Sequence, residues 1–375
     1  MKLVYIYNSR MPIAHAHGFQ VVQMAEAFVE NGCEVEILAP RRVNPIKQDA
    51  FSYYNIKKAF SIKKLPCLDL IFLNDSNIFF WIQTITFLCF VKFYLLFKKY
   101  DCIYTREQVV GLFFNDFVFE VHSLPKKIKP FHIRIWQKTK RLVVLTPFIK
   151  ERMVSYGISA DKILVSSDGV KLEKFDIDLS QIEAREKLGL PKDKKLIGYV
   201  GAFRTLGMEK GLDIAIQSMT KLSQGVTLVL VGGHPADIEY YGKMSAELGV
   251  KNRVILVGRV GYNTVPTYLK AFDVLIAPFP ETEHYSYYMS PMKIFEYMAS
   301  KKPIVSTDLP SLRDIIGNGE ALLVAPGSAE ELAEGIQVVL DNTELREKMV
   351  NKAFTHIQDL TWRKRAKNIL ETITK

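Results

Sequence analysis

The chain has 375 residues, of which 48% are apolar and 24% are charged, a composition typical of a soluble globular protein that excludes compositionally extreme classes. Its length is sufficient for two domains. The net charge of +10 comes from the first half, because residues 1–175 contain 25 Lys and Arg against 15 Asp and Glu, whereas residues 176–375 are balanced. A basic face attracts anionic lipid headgroups, phosphorylated acceptors or nucleic acid, unless the excess simply reflects a basic proteome.

The cysteines and the first residues of the chain indicate the cellular compartment in which the protein resides. Four cysteines are widely spaced in apolar segments and form no CxxC motif, which predicts buried free thiols in a reducing compartment. Residues 1–7 lead directly into a strand pattern and lack the charged, apolar and cleavage regions of a signal peptide. We therefore expect a cytoplasmic protein.

The first half of the chain alternates predicted strands and helices. Lys2–Tyr7 predicts a strand, Phe19–Glu30 an amphipathic helix, and Val35–Ala39 the next strand. This order is typical of a parallel βαβ unit. Three further strands are predicted at Asp101–Tyr104, Phe117–Val121 and Leu142–Leu145.

The second half repeats the alternation after a polar stretch, Asp176–Asp193, which is typical of a linker. Strands and helices are predicted in turn, strand first, at Leu196–Val200, Gly211–Met219, Val226–Val231, Ile238–Leu248, Val254–Val257, Val265–Ala271 and Val274–Ala277. Alternation in both halves predicts an α/β fold of two doubly wound Rossmann-like domains. We predict a basic N-terminal domain over residues 1–175, a second domain over 176–355, and a C-terminal helix in 356–375 that packs on the first domain.

One segment, Ile78–Phe97, is long and apolar enough to span a membrane and carries a single charge, Lys92. Spanning is disfavoured because polar residues interrupt the segment and because the alternation continues on both sides of it. We therefore expect a buried or interfacial helix. An aromatic-rich helix beside basic clusters is typical of a protein that lies on a membrane surface.

A glycine-rich loop, Gly198–Gly211, lies between a predicted strand and a predicted helix. Glycines allow close backbone approach, and the N-terminus of the following helix offers free N–H groups to an anion. Arg204 supplies a fork of donors and Lys210 a point charge, which together suit a diphosphate. The alternative is an ordinary turn with two surface cations.

A second motif, Ser290–Ser311, places Lys293 and Glu296 three residues apart at the start of a predicted helix. Such residues share a helix face. A phosphate suits the lysine and the free N–H groups, and a hydroxyl-rich ring suits the carboxylate. Taken alone, these two residues favour an ordinary solvated pair.

Together these motifs resemble those of family 4 retaining glycosyltransferases of the GT-B fold, in the variant that carries Ser-Pro-x-Lys-x-Phe-Glu. The resemblance covers nearly the whole chain and is strongest from Leu142 to Gly327. It implies two Rossmann-like domains that face one another across a cleft, with acceptor binding in the first and nucleotide-sugar binding in the second. The matching segments are Leu142–Pro147, Ser167–Val170, Gly201–Gly211, Leu228–Gly233, Val257–Val260, Lys293–Ala299, Pro303–Ser306 and Ala321–Gly327.

The resemblance also implies roles for individual residues. Arg204 and Lys210 would bind the donor diphosphate and stabilise the leaving group, and Glu296 would hold the ribose hydroxyls. His122 resembles a strand-end histidine that contacts the donor sugar, although without the family it fits a structural histidine slightly better. The other residues expected at the donor site are Gly18, Arg259, Val260, Ser290, Pro291, Met292 and Lys293.

Two positions depart from the family pattern. Tyr288 stands where many members have a glutamate, and Glu281 or Glu283 in the same aromatic loop is an alternative contact for the sugar. Arg204 is shifted from the usual place of the family arginine, directly after the strand glycine, so Lys210 is the stronger candidate.

No metal or cofactor is expected. The one Asp-x-Asp triplet, Asp176-Ile-Asp178, lies in the predicted linker and is typical of a solvated pair. Positive side chains and a helix N-terminus can neutralise the leaving diphosphate instead. UDP or GDP would be a product, and the resemblance implies retention at the anomeric carbon.

We therefore expect a cytoplasmic hexosyltransferase on the inner face of the cell membrane that uses a nucleotide-diphosphate sugar. The acceptor would be a cell-surface glycan precursor or a lipid-linked one, as in polysaccharide biosynthesis, and no nucleic acid partner is expected. Two alternatives remain open. One is a nucleotide-sugar epimerase on the same fold, and the other is a non-catalytic protein that binds sugar nucleotides or membranes.

Overall fold

The computed structural model describes residues 1–71, 76–205 and 207–374, which form two units. The first unit comprises residues 1–167 and the segment that begins at Trp362, and the second comprises Asp168–Thr361. The chain thus passes from one unit to the other between Ser167 and Asp168, before the predicted boundary at residue 175.

The first unit is built on a parallel sheet whose described strands are β1 (Lys2–Ile6), β2 (Glu34–Pro40), β3 (Ser61–Leu65), β4 (Cys102–Thr105), β5 (Val118–Val121), β6 (Arg141–Val144) and β7 (Ile163–Val165). Their order is β3-β2-β1-β4-β5-β6-β7. Successive residues of a strand point to opposite faces, and all four from Leu3 to Ile6 are buried. Both faces of the sheet are therefore covered, as expected for a doubly wound domain.

The described strands of the second unit are β8 (Lys195–Val200), β9 (Arg204–Thr205), β10 (Met208–Glu209), β11 (Val226–Gly233), β12 (Val254–Gly258), β13 (Val274–Ala277), β14 (Ile304–Thr307) and β15 (Leu322–Val324). Six of them form a parallel sheet in the order β12-β11-β8-β13-β14-β15, and β9 pairs with β10 as a separate antiparallel hairpin. Because β8 lies between β11 and β13, the crossovers leave in opposite directions beside its carboxyl end, where open α/β sheets bind ligands.

Helices connect the strands of both units. The described α-helices are α1 (Ala16–Glu30), α2 (Ala50–Tyr54), α3 (Asn77–Leu95), α4 (Pro130–Lys138), α5 (Pro147–Ser155), α6 (Gln181–Leu188), α7 (Leu212–Ser218), α8 (Pro235–Glu247), α9 (Val265–Ala271), α10 (Met292–Ala299), α11 (Pro310–Ile316), α12 (Ala329–Asp341), α13 (Thr343–Ile357) and α14 (Trp362–Thr374). The C-terminal helix α14 packs against α1 in the first unit, whereas residues 356–361 of the predicted C-terminal segment belong to the second unit.

The prediction of a linker at Asp176–Asp193 is wrong, because this stretch folds within the second unit and contains α6. A capping box begins the helix, in which Ser180 and Glu183 each accept a hydrogen bond from the other's backbone N–H. Arg185 then forms an ion pair of 2.6 Å with Asp273, which follows α9. These contacts fix a segment whose polar composition alone is typical of a linker.

Among the described helices, α3 alone is long and apolar enough to cross a membrane by length and composition. One third (33%) of its most apolar 18-residue window is buried. The structure thus confirms a helix in the predicted apolar segment, with one side packed on the first unit.

Candidate active site

The site in the second unit begins where β8 ends. Gly201 follows β8 with φ +139°, a conformation that residues with a Cβ rarely adopt. A Cβ at this position would lie 3.0 Å from the Lys293 ammonium, so the glycine lets that side chain reach the end of β8. The structure therefore brings together the glycine-rich loop and the Lys293 motif, which the sequence places about 90 residues apart.

A buried tyrosine fixes this approach. The Tyr297 hydroxyl donates to the carbonyl of Val200 (3.3 Å) and accepts from the Val200 N–H (2.9 Å), and thereby joins α10 to the last residue of β8. Tyr297 lies one turn beyond Lys293 on the same helix. It therefore sets the distance from Lys293 to the glycine loop, a role that the sequence did not reveal.

Lys293 is a buried cation whose ammonium has no hydrogen-bond partner among the described residues. The ammonium lies 3.4 Å from the centre of the Tyr199 ring, which provides a cation–π contact. Burial, and then the charge of Lys210, holds the pKa of Lys293 well below its usual range. Because a buried charge without a hydrogen bond is unfavourable, an anion at this position would complete the site.

Lys210 lies between the β9–β10 hairpin and α7 and is half-buried. Within the described part of the chain, its ammonium has neither a hydrogen bond nor an ion pair. Burial lowers its pKa to about 8. Lys210 and Lys293 are close enough for their charges to interact, so the pocket holds two cations and no described carboxylate that neutralises Lys210.

Glu296 is the carboxylate of the pocket and lies one turn after Lys293 on α10. The Tyr262 hydroxyl, in a 3-10 turn after β12, donates to its Oε1 at 2.9 Å. Burial raises the pKa of Glu296 to about 7, and the Tyr262 hydrogen bond and Lys293 oppose the rise. A carboxylate held in this way can accept hydrogen bonds from vicinal hydroxyls, and Tyr262 is a site residue that sequence reasoning missed.

The remaining residues predicted in the second unit lie around this pocket or at its strand edge. Ser290 is buried, and its hydroxyl accepts from the Asp168 N–H at 2.8 Å, which anchors the turn before α10. Pro291 and Met292 form the start of α10. Arg259 and Val260 follow the carboxyl end of β12; Arg259 is exposed, and Val260 packs on the core.

Arg204 is engaged by carboxylates. Its Nε donates to Asp237 at 3.0 Å and its Nη2 to Glu209 at 2.7 Å. Burial is the largest single effect and lowers the pKa of Arg204, but the hydrogen bond to Asp237 and the charge of Glu209 together outweigh it, so the pKa is raised. Diphosphate binding by Arg204 would require an exchange of these partners, whereas Lys210 and Lys293 require none, so the role of Arg204 stays a prediction.

Residues of the aromatic loop before α10 contact one another and the start of α11. Tyr288 donates to Glu283 at 3.1 Å, and Glu281 is exposed. The buried Tyr285 packs on Phe279, and the Ser311 hydroxyl donates to its carbonyl at 2.6 Å. Tyr288 thus holds in place one of the two glutamates that the sequence offers as contacts for a sugar.

In the first unit, His122 follows the carboxyl end of β5, as predicted. Its Nε2 lies 2.7 Å from Oε1 of Glu120. Burial, and then Arg106, lowers the pKa of His122 to about 4, so the ring is neutral at pH 7 and donates through Nε2. Nδ1 is then the acceptor nitrogen of the ring, which suits a hydroxyl or a transferred proton.

Glu120 is completely buried and accepts hydrogen bonds from several elements. Burial opposes its ionisation, but Arg365 and His122 outweigh that effect and hold its pKa well below the usual range. Its other donors are the Gln20 amide at 2.6 Å, the Tyr104 hydroxyl, and Arg365 of α14 at 3.0 Å. This network fixes the orientation of His122 and connects it to the C-terminal helix.

Gly18 lies in the first turn of α1 in a tightly packed position. A Cβ on Gly18 would lie 2.4 Å from both the Tyr54 hydroxyl and the Ile13 side chain. The preceding His17 is hydrogen-bonded through Nδ1 to the Tyr7 hydroxyl (2.7 Å), and burial lowers its pKa to about 4. The glycine therefore allows the first turn of α1 to pack against Ile13 and Tyr54.

Within the described residues, no three His, Cys, Asp or Glu side chains are grouped so that they would hold a metal ion. Asp176 and Asp178, the only Asp-x-Asp pair in the sequence, are both exposed.

Known proteins match this chain in sequence and in fold. The family described as glycosyl transferases group 1 matches residues 180–356. An uncharacterized glycosyltransferase of Methanocaldococcus jannaschii is 29% identical over 221 residues, which are 57% of this chain and 54% of that relative. The putative teichuronic acid biosynthesis glycosyltransferase TuaC of Bacillus subtilis is 31% identical over 169 residues, which are 45% of this chain and 39% of the relative. The chain thus matches about half or less of the length of these relatives.

The fold extends over the whole chain. The crystal structure of Anabaena HepE in complex with UDP and glucose aligns with 100% of this chain and over 100% of its own length. The TM-score is 0.73 and the sequence identity is 18%. This likeness confirms the expected two-domain α/β architecture.

Proposed function

We propose that this chain is a GT-B glycosyltransferase that moves a hexose from a nucleotide-diphosphate sugar to a cell-surface glycan or lipid-linked acceptor. The match of residues 180–356 to the glycosyl transferases group 1 family, the similarity to the Methanocaldococcus glycosyltransferase and the likeness of the whole fold to HepE support this proposal. The transfer would retain the anomeric configuration and require no metal ion. The observation that carries the donor class is the buried ammonium of Lys293, which faces Gly201 without a hydrogen-bond partner.

The two lysines supply the charge that this reaction needs. When the sugar leaves, negative charge grows on the diphosphate and must be stabilised. Lys293 and Lys210 are preorganised for that task, because neither has a carboxylate partner among the described residues and both are partly or fully removed from water. Their low pKa values would rise on binding of a diphosphate, since an opposite charge favours the ammonium form.

Glu296 and Tyr262 would hold the ribose. The carboxylate accepts from one hydroxyl already, that of Tyr262, and retains lone pairs for the two ribose hydroxyls. HepE of Anabaena was crystallised with UDP and glucose, and this supports a uridine donor as the first to test. Retention rests on the family resemblance alone.

TuaC acts, by its name, in the biosynthesis of teichuronic acid, and this supports a polysaccharide or its precursor as the acceptor. The reaction would take place in the cytoplasm, where the free thiols of all four cysteines persist.

The test is a transfer assay with the purified chain, a panel of UDP- and GDP-hexoses, and glycan or lipid-linked acceptors. We expect release of UDP or GDP together with a glycosylated product, at an unchanged rate in the presence of EDTA. NMR of the product would report the anomeric configuration. Absence of transfer, of donor hydrolysis and of nucleotide binding by thermal shift would refute the enzyme proposal, whereas loss of activity in EDTA would refute only metal independence.

Epimerisation of the nucleotide-sugar is the second candidate, because the hydrogen bond between His122 and Glu120 provides a positioned base. Incubation without acceptor distinguishes the two reactions. An epimerase would convert the donor into an isomeric nucleotide-sugar, whereas a transferase would leave it intact or hydrolyse it slowly.

A further inference from the structure

Unlike an ordinary surface helix, α3 carries large apolar side chains on its exposed side as well as on its buried side, where Phe87, Leu88 and Val91 pack. Its buried side includes Gln83 and Thr84, whose side chains are almost completely inaccessible. Both bond to Asn8, which accepts from Gln83 at 3.0 Å and donates to Thr84 at 2.8 Å. The two polar side chains in the middle of the helix therefore face the protein, where both bond to the Asn8 amide.

The opposite side of α3 is apolar and faces solvent. Ile78 is 70% exposed and Phe93 61%. The exposed large apolar residues along the helix and the turn that follows it are Ile78, Phe80, Trp81, Ile85, Phe90, Phe93, Leu96 and Phe97. A contiguous apolar surface of this length is uncommon on a monomer that remains in water, and it marks a site of interaction.

The charges around this surface are positive. Lys92 lies on the exposed side of α3, and Lys98 and Lys99 follow its C-terminus. The helix packs on the edge strand β3, whose Lys63 and Lys64 are exposed.

The nearby carboxylates are already engaged. Glu36 accepts from the Tyr94 hydroxyl at 3.0 Å, and Asp69 is paired with Arg42 at 3.1 Å. An apolar aromatic surface with lysines at its rim is complementary to the headgroup region of an anionic bilayer.

We propose that α3 lies in the plane of an anionic membrane, with its exposed side inserted at the boundary between headgroups and acyl chains. A spanning orientation would require the hydrogen bonds of Gln83 and Thr84 to Asn8 to break and would expose those polar groups to hydrocarbon. A helix that lies flat keeps them. The long stem of Lys92 can pass along the apolar surface while its ammonium reaches the phosphates.

The position of Asn8 relates this surface to the proposed function. Asn8 follows Tyr7, whose hydroxyl bonds to His17 in the first turn of α1, next to Gly18. The membrane-bound helix and the start of α1 are thus joined through consecutive residues after β1. On the basis of the proposed function, this connection would bring a lipid-borne acceptor towards the start of α1.

Trp81 provides a direct reporter. It is 44% exposed, whereas the other two tryptophans, Trp136 and Trp362, are buried. We expect the emission of the full chain to shift to the blue, and to be quenched by brominated acyl chains, on addition of phosphatidylcholine vesicles that contain phosphatidylglycerol. Vesicles of phosphatidylcholine alone should bind more weakly, and salt should weaken the binding to anionic vesicles.

The variant Ile85→Ser/Phe93→Ser removes two side chains from the exposed surface without touching the buried side. We expect vesicle partitioning to fall about a hundredfold, at roughly tenfold for each large apolar side chain. Ile182→Ser is the matched control, because Ile182 is 60% exposed in the second unit, and it should bind like the wild type. Circular dichroism melts would verify that all three proteins are folded.

Three results would overturn the proposal: no Trp81 shift and no co-sedimentation with anionic vesicles, equal binding by the double variant, or a wild-type dimer in light scattering that the double variant dissociates. The last would assign the surface to a second copy of the chain. Nucleotide release is measured without vesicles, so failure of membrane binding and failure of the transferase proposal remain distinct.

Discussion

The two units bury ionised groups in opposite ways. In the first unit, Glu120 is completely buried, but it accepts from four side chains, among them the guanidinium of Arg365. In the second unit, Lys293 is buried, but its ammonium lies against aromatic rings and has no hydrogen-bond partner within the described residues. The first arrangement is complete in itself, whereas the second lacks a hydrogen-bonded anion.

This difference separates a structural network from a ligand site. A satisfied buried charge fixes the elements that contact it, here β5 and α14. An unsatisfied one destabilises the unliganded protein and is stabilised when a ligand supplies the missing charge. Removal of the guanidinium that pairs with Glu120 should therefore lower the stability of the protein. Removal of the Lys293 ammonium should leave the stability unchanged or raise it.

Lys293→Met gives the largest expected effect on activity. Loss of the ammonium should lower kcat about 10²- to 10³-fold, since one preorganised group that stabilises leaving-group charge has an effect of this size. The melting temperature of the unliganded protein should stay the same or rise, because an unsatisfied buried charge is removed. Donor hydrolysis and differential scanning calorimetry measure the two quantities.

Lys302→Met is the control for this variant. Burial lowers the pKa of Lys302 to about 8, but the residue lies before β14, outside the pocket. It should retain activity. A Lys293→Met protein that is markedly less stable than the wild type would contradict the distinction between the two units, because the lysine would then be a structural residue.

Arg365→Met should have the largest effect on stability. Removal of the guanidinium leaves the Glu120 carboxylate buried beside neutral donors, which typically costs about 3–5 kcal/mol. Urea unfolding should show this loss. Arg363→Met, on the exposed side of the same helix, should differ little from the wild type. If Arg365→Met were as stable as the wild type, the Glu120 network would not be what holds α14 to β5.

Most strands of the two sheets were predictable from the sequence because they are largely buried and rich in apolar residues, but β3, β7, β14 and β15 were not predicted. The edge strand β3 gave no signal because Ser61–Leu65 contains two exposed lysines and has no apolar run. The stretch around α6 was interpreted as a linker because its polar surface conceals the ion pair of Arg185 with Asp273, which lies far away in the sequence.

The charged residues of the candidate site were predictable from the sequence. Lys210, Lys293 and Glu296 occur in motifs whose spacing carries the signal. The tyrosines that position them gave no such signal, because Tyr262 and Tyr297 act through single hydroxyl groups whose partners become neighbours only in the folded sheet. The same holds for Arg365, which reaches Glu120 from the other end of the chain.

Tyr262→Phe should have the smallest effect of the three variants. It tests how the ionisation of Glu296 affects donor binding in the pocket of the second unit. The hydroxyl stabilises the ionised form of Glu296, whose pKa is about 7. As the pH falls through that value, the carboxylate is protonated and loses acceptor capacity for the ribose, so kcat/KM for the donor should fall on the acidic side. Without the hydroxyl, the carboxylate is less stable and the midpoint should move to higher pH.

At pH 7 the loss for Tyr262→Phe should be about fivefold, which corresponds to one hydrogen bond of about 1 kcal/mol. The profile of kcat/KM against pH measures both the midpoint and the size of the loss, and it reports the ionisation of the free enzyme. Tyr268→Phe, in the core of the same unit, is the control and should leave the midpoint unchanged. A midpoint that stays in place in Tyr262→Phe would mean that another group sets the acidic limb, and Glu296 would then lose its assignment to the ribose.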